Sequence, residues 1–213
     1  CNLYLSIAQQ NLPNSTYTQD FTSLANSGSL NTTLPTGWLF SESGTNANVN
    51  YSAGTGSGNA GDTYSFGVAG VNLSTDRAFG GLLSGSLNPI IGVSFNNASG
   101  GTITALAINY TGEQWRLGTL NRTDSIDFQY STTATSLTTG TWTDVNALDF
   151  TAPTKTGTVG ALDGNASANR TLKSFTITGL SIAPGAVFYL RWTDFNASGA
   201  DDGSAAAAAV HSK

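Results

Sequence analysis

TITALAINYTGEQWRLG, residues 102–118, is the stretch on which the reading of the chain turns. Ile103, Ala105 and Ala107 alternate with Thr104, Leu106 and Ile108, and the run is rich in β-branched and aromatic residues. Its length exceeds that of an ordinary strand, and only Gly112 interrupts it. This predicts a long central strand with a bulge or bend at Gly112. Just beyond stand Glu113, Gln114, Trp115 and Arg116, the densest polar and aromatic cluster of the chain. AVFYLRWTDFN, residues 186–196, has the same character: apolar first, then Arg191, Trp192 and Asp194.

Working outward, further short alternating runs occur at 17–21, 38–41, 48–53, 63–68, 77–82, 90–96, 125–131, 141–144 and 172–178. Gly, Asn and Ser clusters separate them, including the loop GTGSGNAG at 54–61. Nothing repeats at the 3.6-residue helical period, and glutamate occurs only at positions 42 and 113. Many short strands at regular spacing predict an all-β fold, a single jelly-roll-like antiparallel β-sandwich over 17–213. Residues 103–110 and 187–192 are its expected central strands. Ala205 to Ala209 form a run of five alanines with no strand or turn signal.

Residues 1–16 form a separate N-terminal segment, open to three readings. CNLYLSIAQQ resembles the tail of a secretory signal peptide, or Cys1 is the lipidated first residue of a lipoprotein. Alternatively, Leu3, Leu5 and Ile7 alternate as an edge strand. The single cysteine excludes a disulfide within the 213 residues. No run approaches the ~20 apolar residues of a transmembrane helix.

Charged residues make up only 10 % of the chain, against roughly 25 % in an average globular protein. Thr, Ser, Asn and Gly fill the polar positions, a composition typical of secreted β-proteins. A net charge of −5 with scattered single Arg and Lys leaves no basic stripe for a nucleic acid. The many N-x-S/T sequons follow from the Asn/Thr/Ser-rich composition.

LPTGWLFSESGTNANVNYSAGTGSGNAGDTYSFG, STDRAFGGLLSGSLNPIIGVSFNN, YTGEQWRLG, SIDFQYSTTATSLTTGTWTDVNALDF, ALDGNASANR and FYLRWTDFNASGADDG together resemble a β-sandwich module of large secreted bacterial surface proteins. The resemblance spans residues 20–203. In that setting the module often sits near sorting-signal tails or beside extracellular nuclease or phosphatase domains. The resemblance implies an extracellular or cell-surface location and assigns no activity. Relatives follow the DDG with an alternating strand bearing two further acidic residues, where this chain has alanines.

Three constellations could carry chemistry. Asp194, Asn196, Asp201 and Asp202 place hard oxygen donors around a Gly-containing loop, as the first half of a calcium loop does. Ala205 stands where an EF-hand would need an acidic ligand, so calcium is expected in another geometry, or the loop is a polar hairpin turn. Glu113, Trp115, Arg116 and Arg191, with Trp192 and Asp194, would converge if the two long strands were neighbours. Aromatic platforms beside carboxylate and guanidinium suit sugar binding, while the plainer alternative is a buried Glu–Arg pair with core tryptophans. A glycosidase would need two facing carboxylates, Glu113 with Asp194 or Asp127.

The composition and these groups point to an exported, non-catalytic module for adhesion or carbohydrate binding, its partners glycans or cell-surface polymers. The competing expectations are a structural or cargo domain of a larger protein, exported by the type IX route, and a secreted glycan hydrolase using Glu113.

Overall fold

Fifteen strands run along the described residues: β1 (Gln10–Leu12), β2 (Thr16–Gln19), β3 (Trp38–Ser43), β4 (Ser52–Gly54), β5 (Asp62–Phe66), β6 (Ala78–Leu82), β7 (Asn88–Asn97), β8 (Ile103–Leu117), β9 (Ser125–Ser131), β10 (Thr143–Asp144), β11 (Phe150–Thr151), β12 (Gly160–Ala161), β13 (Arg170–Ile182), β14 (Val187–Asp194) and β15 (Gly203–Ser212). The structure is a computed structural model and describes residues 8–68, 76–194 and 198–212, with side chains up to 206. Leu3, Leu5 and Ile7 of the expected edge strand lie outside the described residues. Among the described residues the only helical elements are two single-turn 3-10 helices. No helix among the described residues is long and apolar enough to cross a membrane.

The strands form two sheets. In the first, β7 is flanked by β3 and β1 on one side and β14 on the other, with β9 and then β10 and β11 beyond. In the second, β8 lies between β13 with β12 and β15, and β15 leads on to β2 and to β6, β5 and β4. From β6 onward the longer strands β6, β7, β8, β9, β13, β14 and β15 alternate between the two sheets, the winding of a jelly-roll-like sandwich. Pairing is antiparallel except for β1 on β7 and β4 on β5. The two expected central strands, β8 and β14, each have neighbours on both sides.

Alternation places the core. Leu106, Ile108 and Tyr110 of β8 point inward and meet Phe188, Leu190 and Trp192 of β14 and Trp38 of β3. Trp192 stacks on Trp38 with centroids 5.8 Å apart, and Tyr110 and Phe128 meet its ring edge-on at 5.4 and 5.2 Å. Each such ring contributes about 1.5–3 kcal/mol by leaving water.

Two expectations are corrected. The strand does not bend at Gly112, since β13 pairs with β8 in register straight through it. Glycine is there because the Phe150 ring lies on it, and a Cβ would come within 2.2 Å of that ring. The register slips instead opposite Trp115, with Gly203 facing Arg116 and Ser204 facing Gln114. Secondly, the alanine run lies in β15, paired with β8 along its length. Ala206 faces the main core, while Ala205 faces outward beneath a second cluster of Phe66, Ala78 and Trp115. At Ala205 a short side chain fits because the Phe66 and Trp115 rings of flanking strands lie over it. A Cβ on Gly203 would already come within 3.1 Å of the Phe66 ring.

Candidate functional site

The outer face of the second sheet carries a ladder of three aromatic rings. Tyr64 and Phe66 of β5 lie 5.0 Å apart, tilted by 30°. Phe66 in turn stacks on Trp115 of β8 at 6.1 Å and 4°. The rings meet although two strands separate β5 from β8, because the intervening positions are Ala78, Gly203 and Ala205. Trp115 is only 1 % exposed and is covered at Gly164, where a Cβ would come within 2.4 Å of the indole. Its indole N–H donates to Glu113 Oε2 at 3.1 Å.

Beside Tyr64 and Phe66 opens a cavity of about 270 Å³, lined also by Leu82, Arg116 and the backbone of residues 53–58. The Gly-rich loop closes it by an approach only glycine permits. Gly56 has φ +73°, and a Cβ there would come within 1.7 Å of the Trp115 carbonyl. The same closeness lets Arg116 Nη1 donate to the Gly56 and Ser57 carbonyls at 3.0 and 3.1 Å. Arg116 is 7 % exposed, and its Nε has no hydrogen-bond partner. Among the described residues, the ion pairs all belong to Arg122, so Arg116 has no carboxylate.

Of the residues expected to converge, Glu113, Trp115 and Arg116 share the end of β8, but Arg191 does not join them. β14 belongs to the opposite sheet. Because Leu190 and Trp192 fill the core, Arg191 points to that sheet's outer face. There it sits 3.9 Å over the Trp142 ring and donates through Nε to Gln129 Oε1 at 2.6 Å. Glu113 is not among the residues that line the cavity. Burial pushes its carboxyl up to about 7, a rise that the Trp115 hydrogen bond only partly offsets. Asp127 and Asp194, its imagined catalytic partners, are on strands of the other sheet.

The acidic loop forms a knot past the end of β8. Arg122 Nη2 reaches Asp124 Oδ2 at 2.5 Å, and Nη1 reaches Asp201 Oδ1 at 3.1 Å and the Ser198 carbonyl at 3.0 Å. Asp202 accepts from the Gly118 N–H at 2.6 Å and from Gln114 Nε2 at 2.8 Å, tying β8 to the start of β15. Burial pushes Asp201 and Asp202 up to about 6 despite Arg122. Asp194 is also pushed well above the ordinary carboxylate range, chiefly by burial and then by Asp124 and Asp201. The structure therefore gathers Asp194, Asp201 and Asp202, adds Asp124, and puts a guanidinium among them; Asn196 lies outside the described residues. No cluster of metal-ligating side chains in holding geometry occurs among the described residues. Arg122 and Asp124 were missed because isolated charges in a loop carry no spacing signal. Tyr64 and Phe66 were legible only as an alternating pair after a Gly-rich loop.

The fold and site together define an all-β sandwich module with a cavity that joins aromatic rings to a guanidinium. No family model matches the chain, and no curated protein matches it. Among solved structures, it is similar to the K3 cleaved adhesin domain of Lys-gingipain from Porphyromonas gingivalis, at 12 % identity over 92 % of this chain and 97 % of that one, with a TM-score of 0.49. It is also similar to TmCBM61, solved with β-1,4-galactotriose, at 11 % identity over 82 % and 88 % of the chains and a TM-score of 0.40. A third likeness is to the enzymatically active domain of tailspike protein 4 of bacteriophage CBA120, at 9 % identity and a TM-score of 0.41. It covers 83 % of this chain and spans about a fifth of the tailspike chain, 19 %.

Proposed function

We propose that the protein is an exported extracellular or cell-surface module that binds carbohydrate, in the service of adhesion. The observation that carries this reading is the cavity between the 53–58 loop and the Tyr64–Phe66 pair. A pyranose presents apolar C–H faces and a rim of hydroxyls. An aromatic wall takes the first, and backbone carbonyls with a guanidinium take the second. The low-charge Thr/Ser/Asn composition agrees with an extracellular location. Glu113, buried against Trp115 and away from the cavity, is placed to hold the β8 end together.

Calcium is a separate proposal for the loop of Asp194, Asp201 and Asp202. Their oxygens would hold it in exchange for the Arg122 guanidinium, so metal and ion pairs are alternatives.

A glycan array with the purified protein tests the main reading. Binding that is lost in Tyr64→Ala, with the variant's melting temperature close to that of the parent, is the expected result. Binding unchanged in Tyr64→Ala would move the site elsewhere. Turnover of a bound polysaccharide that disappears in Glu113→Gln would replace the reading with a hydrolase.

A further inference from the structure

Arg116 poses a problem of charge. A guanidinium taken from water is costly unless a counter-charge or full hydrogen bonding compensates it. All thirteen Asp and Glu side chains of the chain lie among the described residues, and none pairs with it. Both of its hydrogen bonds leave from Nη1, and they end on neutral carbonyls. Arg77 is a useful contrast. It too is buried without an ion pair, but its Nε and Nη2 are both occupied by Ser65, and it lines no described cavity. Arg116 differs in having a bare Nε and in forming part of a cavity wall.

Resting on the carbohydrate reading above, we infer that the cavity takes a carboxylate-bearing sugar, a uronic acid unit, with Arg116 supplying the missing counter-charge. With Nη1 held by the two carbonyls and Nε shut off from water, a carboxylate would meet the guanidinium through Nη2, and a charge-assisted hydrogen bond of this kind is stronger than a neutral one. The cavity, about 270 Å³, suits one sugar ring better than a long chain segment. Tyr64, half-buried at the rim, would stack on the ring while its carboxylate reaches inward to Arg116. The carbonyls of Gly56 and Ser57 hold the guanidinium in place beforehand, so little side-chain freedom is lost on binding.

Isothermal titration of the wild-type protein with trigalacturonate and with its fully methyl-esterified form tests this without any variant. The acid should bind at least about tenfold more tightly, as expected of a hydrogen bond to a charged group. The preference should weaken with salt and vanish in Arg116→Gln, and amide shifts on titration should fall on residues 53–58. Equal binding of acid and ester at those amides would overturn the charge assignment and leave the carbohydrate reading standing. Shifts around Trp142 and Arg191 instead would overturn the location. If neither probe binds and a glycan array finds only neutral sugars, the carboxylate is again refuted. An array with no binding at all overturns both readings. If Arg116→Gln does not fold, the acid–ester comparison and its salt dependence still decide.

Discussion

Arg122 and Arg116 flank the C-terminal end of the same strand, and their charges are handled in opposite ways. Arg122 has carboxylates of Asp124, Asp201 and Asp202 within 3.8 Å, all nearly shut off from water. Arg116 has none, and stands in the wall of a cavity. Both leave Nε unpartnered, so hydrogen bonding alone does not separate them; counter-charge and access do. The closed cluster joins the loop after β8 to the entrance of β15, and its cation finds its partners within the chain. On the carbohydrate reading, a ligand's carboxylate would complete the open one. In a protein this poor in charge, a buried cation without its anion is a stronger candidate for a site than the acidic loop.

The largest expected effect comes from opening the closed end. Arg122→Ala leaves three buried carboxylates without a cation, and urea unfolding should show a loss of about 3–5 kcal/mol. A loss under about 1 kcal/mol would place the cluster among ordinary surface ion pairs and dissolve the contrast. The vacated centre is also where a cation would enter. Calcium should raise the melting temperature of Arg122→Ala more than that of the wild type, and EDTA should reverse the gain. Equal calcium responses in both proteins would separate the metal from the guanidinium.

Next comes the pH dependence set by Glu113, on the same strand as Arg116. Glu113 is held at about 7 in the folded protein, chiefly by burial, against an ordinary 4.5. Its contribution is therefore full below about pH 4.5 and is lost as pH rises toward 7, because the unfolded chain ionises the carboxyl more readily. Glu113→Gln should flatten that part of the stability profile, by on the order of 2–3 kcal/mol between pH 4 and 8. Asp201 and Asp202, also raised, lose theirs nearer pH 6. A slope unchanged in the variant would mean that Glu113 is solvated.

Gly56→Ala sharpens the open side. The positive φ and the clash with the Trp115 carbonyl should cost about 2 kcal/mol and displace the loop that carries the Arg116 acceptors. Sugar binding should fall further than stability does, as read by titration beside thermal unfolding. The smallest effect is expected at Arg191, the residue left outside the cluster. Arg191→Ala removes a cation–π contact with Trp142 and should cost about 1 kcal/mol or less, with binding at the cavity unchanged. Binding lost there would transfer the site to the other sheet.

How much of this was legible beforehand follows from the range of each signal. Period-two alternation is local, and it placed β8 and β14 and led to the all-β sandwich. Gly112 misled because a strand glycine reads the same whether it marks a bend or receives a ring, and only Phe150 distinguishes the two. The alanines of β15 misled because their strand character is imposed by β8 on one side and β6 and β2 on the other.

Sequence by itself determined the all-β class, the position of the long strands β8 and β14, the low-charge composition and the gathering of Asp194, Asp201 and Asp202 in one loop region. Tertiary structure alone decided which charges meet. Arg116 reaches the carbonyls of Gly56 and Ser57 across sixty and fifty-nine residues, and Arg122 reaches Asp201 across seventy-nine. The physical reason is that a strand's pattern tells which face a side chain takes, through steric and hydrophobic rules that act between near neighbours. A charge's partner depends on which distant strands the sheet sets side by side. Those two facts are written at different ranges along the chain, and only the second makes a site.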